Sequence, residues 1–138
     1  MSWWVYALIS AGAASATAIL AKIGVQGVPS NVATAIRTIV ILVFAWGIVL
    51  GTGEYRELGK ISSRSLLFLG LSGIATGVSW LAYFRALQMG SASRVAPVDK
   101  LSVVLVAIFG VLFLGEKLTT LIWLGVALIA AGAVLVAL

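Results

Sequence analysis

Apolar residues run through this chain in five long stretches, at about residues 3–21, 32–50, 65–87, 95–114 and 120–138, with short polar interruptions between them. Each stretch is close to the ~20 apolar residues that a helix needs to cross a hydrocarbon core. The pattern predicts five transmembrane helices, and an odd number of spans puts the two chain ends on opposite sides. The stretches are apolar on every face, so the helical period does not single out a buried side. No internal repeat is visible.

The interruptions carry boundary signals. Trp3, Trp4 and Tyr6 stand where an interfacial aromatic belt belongs. Lys22 closes the first span, and in the turn GVQGVPSN, Pro29 followed by Ser30 or Asn31 reads as a stop and a cap for the next helix. The longest polar stretch, Gly51 to Arg64, holds two glutamates and three basic residues and is expected to be a solvated loop. QMGSASR reads as a tight connection, with Pro97 then in the first turn of the fourth span, where a missing N–H costs little. Gly115, Glu116 and Lys117 are expected to form that span's last turn.

Composition sharpens this picture. Of 138 residues 62% are hydrophobic and 9% charged, against roughly 25% charged in a soluble domain. Five spans of ~20 residues leave only short loops, which predicts one domain over residues 1–138 with no extramembrane part. The chain has no cysteine or histidine, which excludes disulfides, thiol chemistry and the usual zinc ligand sets. Four carboxylates make a metal cage or a hydrolytic dyad a poor expectation. There is no nucleotide-binding loop and no nucleophile–base set, so neither an enzyme nor a cofactor is expected. The opening MSWWVYALIS has no basic n-region and no A-x-A cleavage site, so the first apolar run is expected to stay as a helix.

The net charge of +5 comes from basic residues placed singly at the ends of apolar runs, with no patch suited to nucleic acid. Arg56, Lys60, Arg64 and Lys117 fall on the side of the N-terminus, and Lys22, Arg85 and Arg94 on the other, joined by Arg37 and Lys100 as they enter the membrane. Neither side wins under the positive-inside rule. One reading is a single orientation decided by the first helices. The other is dual topology, in which copies insert both ways and pair antiparallel as two inverted units.

A charge near the bilayer centre costs ~3 kcal/mol on insertion scales, so Arg37, Asp99 and Lys100 are the first functional candidates. Arg37 lies ~10 Å into its helix at 1.5 Å per residue. It either snorkels or pairs, or it binds a ligand. Asp99 is either a carboxylate at a helix N-terminus, favoured by the dipole, with Lys100 reaching the surface, or a cavity residue with Lys100 or Arg37 as its partner. On a continuous helix Asp99 shares a face with Ser102, Val103, Val106 and Gly110. In the third span Gly73 and Gly77 form a small-xxx-small pair suited to close packing, on a face that Trp80 and Phe84 continue. Thr76, Trp80 and Tyr83 form an adjacent stripe. Tyr6, Ser10, Ala13 and Thr17 line one face of the first span, although hydroxyls in helices often bond only their own backbone. The last span, rich in glycine and alanine, reads as a packing helix.

The segments LAYFRALQMGSASRVAPVDKLSVV, LFLGEKLT and WLGVALIAAGAVLV resemble the EamA-like branch of the drug/metabolite transporter superfamily. The opening WWVYALISAGAASATAILAKIGVQGV followed by ATAIRT is similar to the start of an EamA unit, so the resemblance covers nearly the whole chain. It implies an all-α integral membrane protein, a five-helix bundle equal to one inverted-repeat unit of a ten-helix transporter, as in the five-helix bacterial and archaeal branch. It also implies secondary transport or export of small metabolites, with proton coupling or exchange, through a cavity lined by the first four helices. On this chain the substrate or coupling-ion candidates are Tyr6, Ser10, Arg37, Trp80, Tyr83, Asp99 and Lys100, with Glu116 in a structural role. The related four-helix multidrug pumps use a glutamate in the first helix. The first span here has no Asp or Glu, which weakens a cationic-drug reading and leaves Asp99 as the carboxylate at depth.

The expected function is a secondary transporter of a small polar metabolite in a prokaryotic inner membrane. It would work as a homodimer, with protons, the substrate and lipid as its other partners. A small multidrug-type exporter and a non-transport membrane assembly subunit are the alternatives.

Overall fold

A computed structural model describes residues 2–138. The described residues form helices joined by short turns, with no strand among them. They are α1 (Trp3–Gly24), α2 (Ser30–Thr52), a 3-10 helix (Glu54–Lys60), α3 (Ser63–Met89), α4 (Ala92–Asp99), α5 (Ser102–Leu114) and α6 (Thr120–Ala137). With α4 and α5 taken together as Ala92–Leu114, five segments are long and apolar enough to cross a membrane. The fold class is therefore all-α with five spans.

Large apolar side chains point outward along every span. Ile39, Leu42, Phe44, Leu67, Phe113 and Leu135 are all exposed. In water such a surface would aggregate, whereas in lipid it is the expected solvent-facing surface. Backbone polar groups must then be satisfied within each span, and several hydroxyls stay local as well. Thr34 donates to Ser30 O, Thr38 to Thr34 O and Thr76 to Ser72 O, at 2.8–2.9 Å. Thr76 thus spends its hydroxyl on its own helix.

The contacts divide the chain into two compact units. One comprises the chain up to Lys22 together with Met89–Leu138, and the other Ile23–Gln88. In the first, α6 packs on α4 and α5, Val126 and Ala133 of α6 are buried, and Lys22 Nζ donates to Gly90 O at 2.8 Å. In the second, Gln88 at the end of α3 holds the turn that leads into α2. Its Nε2 donates to Val25 O at 3.2 Å and to Val28 O at 2.6 Å, while Arg85 donates to its Oε1 at 3.3 Å. Val25 and Leu87 are fully buried beside this clamp, and Gly27 takes the positive φ of 74° that the turn requires.

Four local expectations are corrected. First, α2 starts at Ser30 with Pro29 at the cap position and no side-chain cap bond; Ala33 N donates to Pro29 O instead. Second, the fourth span starts at Ala92, a turn earlier than Val95, because Arg94 N and Val95 N already donate to Ser91 O. Pro97 is therefore interior, and its ring removes the donor that would reach back toward Ser93 O. Third, that span is not continuous. Lys100 N, Leu101 N, Val103 N and Val104 N each donate three residues back, to Pro97, Val98, Lys100 and Leu101. This tightened 3-10 winding separates α4 from α5. Fourth, Gly115 ends α5 at Leu114 with a φ of 68°, so residues 115–117 lie outside the helix.

Candidate functional site

The clamp in the Ile23–Gln88 unit fixes the depth of Arg37. It holds the start of α2 level with the end of α3. Arg37 is seven residues into α2, about 10 Å along the axis, while Phe84 and Trp80 lie about 8 and 13 Å back from the end of α3. Arg37 is therefore level with the gap between the two rings. Its guanidinium carbon lies 4.3 Å from the centre of the Trp80 ring and 5.4 Å from that of Phe84. Phe84 is buried, and its ring meets that of Tyr83 edge to face at 6.5 Å. Positions 80, 83, 84, 87 and 88 recur at helical spacing, so one face of α3 supplies the rings, the buried Leu87 and the clamp.

A ring face attracts a cation through its quadrupole, which offsets part of the cost of a charge at this depth. It leaves the guanidinium's five N–H donors in place. Among the described residues Arg37 has no ion pair, and the two ion pairs present are Lys60–Glu57 and Lys100–Asp99.

In the other unit, Lys100 Nζ meets Asp99 Oδ2 at 3.2 Å. Neighbours on a regular helix project ~100° apart and do not face each other; here the winding changes at this very point. Asp99 is the last residue of α4, not the first of a helix, so the expected dipole stabilisation does not apply and the cation beside it is the favourable charge there. The stripe expected from Asp99 through Ser102, Val103 and Val106 to Gly110 is interrupted by the same break. Gly110 itself is buried, and its carbonyl accepts from Gly115 N and Glu116 N. The Glu116 side chain folds back over it, so that a Cβ at position 110 would lie 2.7 Å from Glu116 Oε2. Tyr6 and Ser10 are exposed on α1.

The seven predicted residues thus fall into separate groups: Arg37 with Trp80 under its guanidinium and Tyr83 edge-on to the neighbouring Phe84 ring, Asp99 and Lys100 as an adjacent pair, and Tyr6 with Ser10 on one helix face. Phe84 and Gln88 were missing from the predicted set. Phe84 follows Trp80 by four residues, a spacing that could have flagged it, whereas nothing local marks Gln88 as a clamp.

The EamA-like transporter family model matches residues 1–138, the entire chain. The chain belongs to the EamA-like transporter family. A protein of Sinorhizobium sp described as an uncharacterized transporter in the cobO 3' region is 60% identical over 136 residues, covering 99% of this chain and 96% of that protein. No solved structure matches the chain. Family membership and five apolar spans make this EamA-like chain a multi-pass membrane protein of the transporter class, and the charged side chains of its spans are to be read in that light.

Proposed function

We propose that this EamA-like chain is a secondary active transporter that moves a small polar metabolite by alternating access in a prokaryotic inner membrane. It works as a dimer, most simply an antiparallel homodimer, because a five-span unit supplies one of the two inverted repeats that such transport uses. Arg37, Trp80 and Tyr83 bind substrate, Asp99 exchanges protons with Lys100 as its resting partner, and Tyr6 and Ser10 line the path from α1. The observation that carries this reading is Arg37, held about 10 Å inside a span on aromatic rings and without a carboxylate partner. A charge at that depth is costly and marks a substrate or ion pathway. The near balance of basic residues between the two sides supports the antiparallel pair.

The test is gradient-driven flux. Purified protein in liposomes, offered labelled amino acids, organic acids and sugars under an imposed pH gradient, should accumulate at least one of them above protein-free liposomes. Asp99→Asn should uncouple that flux from the gradient. Absence of flux for every solute would overturn the transport reading, and an Asp99→Asn protein with full proton-coupled flux would remove Asp99 from the mechanism.

A further inference from the structure

We infer that the Arg37 site takes an organic carboxylate, with the guanidinium binding the anionic group and the Trp80 ring carrying the flat or apolar part beside it. This rests on the transport reading above and narrows its substrate class.

The first support is the charge inventory of the unit that holds Arg37. Its carboxylates are Glu54 and Glu57, in the 3-10 helix beyond the far end of α2. Arg37 stands fifteen residues before Thr52, about 22 Å down the helix from that end. No protein anion of this unit is therefore placed to neutralise it, and Glu57 is bonded to Lys60 at 2.9 Å. The second is the way the cation is held. Ring contacts at 4.3 and 5.4 Å stabilise the charge and consume none of the N–H donors, which form the planar fork that a carboxylate matches with two parallel hydrogen bonds. Rings and carboxylate are complementary partners of one guanidinium. The third is charge balance. One half-buried monocation and one carboxylate make a neutral pair inside the span, whereas a cationic cargo would be repelled and a neutral one would leave the charge as it stands.

The test is binding by the protein in lipid nanodiscs, read by tryptophan fluorescence. Benzoate and hexanoate are the acid probes, and benzamide is the neutral analogue of matching shape. The expected result is a saturable change with at least one acid, at least tenfold weaker binding of benzamide, and loss of most of the signal in Trp80→Phe. Arg37→Gln should weaken the acid at least tenfold. Arg37→Lys, which keeps the charge without the fork, should fall between. Circular dichroism on each variant establishes that the helices are intact; if Arg37→Gln loses them, the benzoate–benzamide ratio and Arg37→Lys decide. Equal binding of benzoate and benzamide, an Arg37→Gln protein that binds the acid unchanged, or no saturable response to either acid would overturn the inference. Should the acids fail while a neutral or cationic solute still moves in liposomes, the substrate class falls and transport stands. Should no solute move, the transport reading itself fails.

Discussion

Two places in this chain put charge inside apolar spans, and they hold it by opposite means. Arg37 depends on a neighbouring helix: α3 brings Trp80 and Phe84 to it, and the Gln88 clamp sets the register that makes them meet. Asp99 and Lys100 depend on each other, at a point where Pro97 and the 3-10 winding interrupt the helix. The first arrangement leaves donors available for a ligand. The second satisfies charge with charge and stores its freedom in the backbone. Side-chain chemistry is thus concentrated on α2 and α3, and a built-in helix break on α4 and α5.

On that contrast, disturbing the partners of Arg37 should lower flux itself or the stability of the fold, whereas Asp99→Asn should alter the coupling of flux to the gradient and leave stability nearly unchanged. The largest effect is expected from Trp80→Leu, which removes the ring under the guanidinium. A desolvated cation–π contact is worth ~2 kcal/mol, so flux should fall at least tenfold while the helical circular dichroism persists; unchanged flux would deny the ring its role. Next comes Gln88→Leu, which leaves the Val25 and Val28 carbonyls without their donor. A loss of ~2 kcal/mol in unfolding stability is expected, together with faster amide exchange in residues 25–28. Asp99→Asn breaks the ion pair with Lys100 but also removes one charge from the span, where a charge is costly in itself, so the two effects oppose each other. Its stability in detergent micelles should therefore stay close to that of the native chain, and a loss of several kcal/mol would show that the pair outweighs the cost of its charges. The smallest effect belongs to Gly110→Ala. The new methyl meets only the far end of the Glu116 side chain, which can swing away, so thermal unfolding should move by a degree or two.

The five spans were legible because their apolar runs are long and uniform, and no finer signal was needed. The same uniformity hid what lies between them. A helix that is apolar all round does not declare which residue faces which neighbour, so Arg37 and Trp80 each stand out in the sequence while their meeting does not. Phe84 falls on a packing face in the sequence for the same reason. Whether the sequence reveals the break after Asp99 turns on one helical turn at the start of the span. With the helix started at Val95, Pro97 is a harmless first-turn residue; started at Ala92, it is an interior one. The polar letters of SASR look like a connection, and only the bonds from Arg94 N and Val95 N to Ser91 O show that the helix has already begun.

The most direct measurement is the split between stability and flux in Arg37→Gln. A cation kept for its cargo should be dispensable to the fold. The variant gives up its ring contacts, worth ~2 kcal/mol, but also removes a charge whose place inside the span costs ~3 kcal/mol; the two largely offset, so it should unfold close to the native chain while its gradient-driven flux falls at least tenfold. Full flux at native stability would contradict a role in binding, and a parallel collapse of both would make Arg37 a structural residue of the α2–α3 pair.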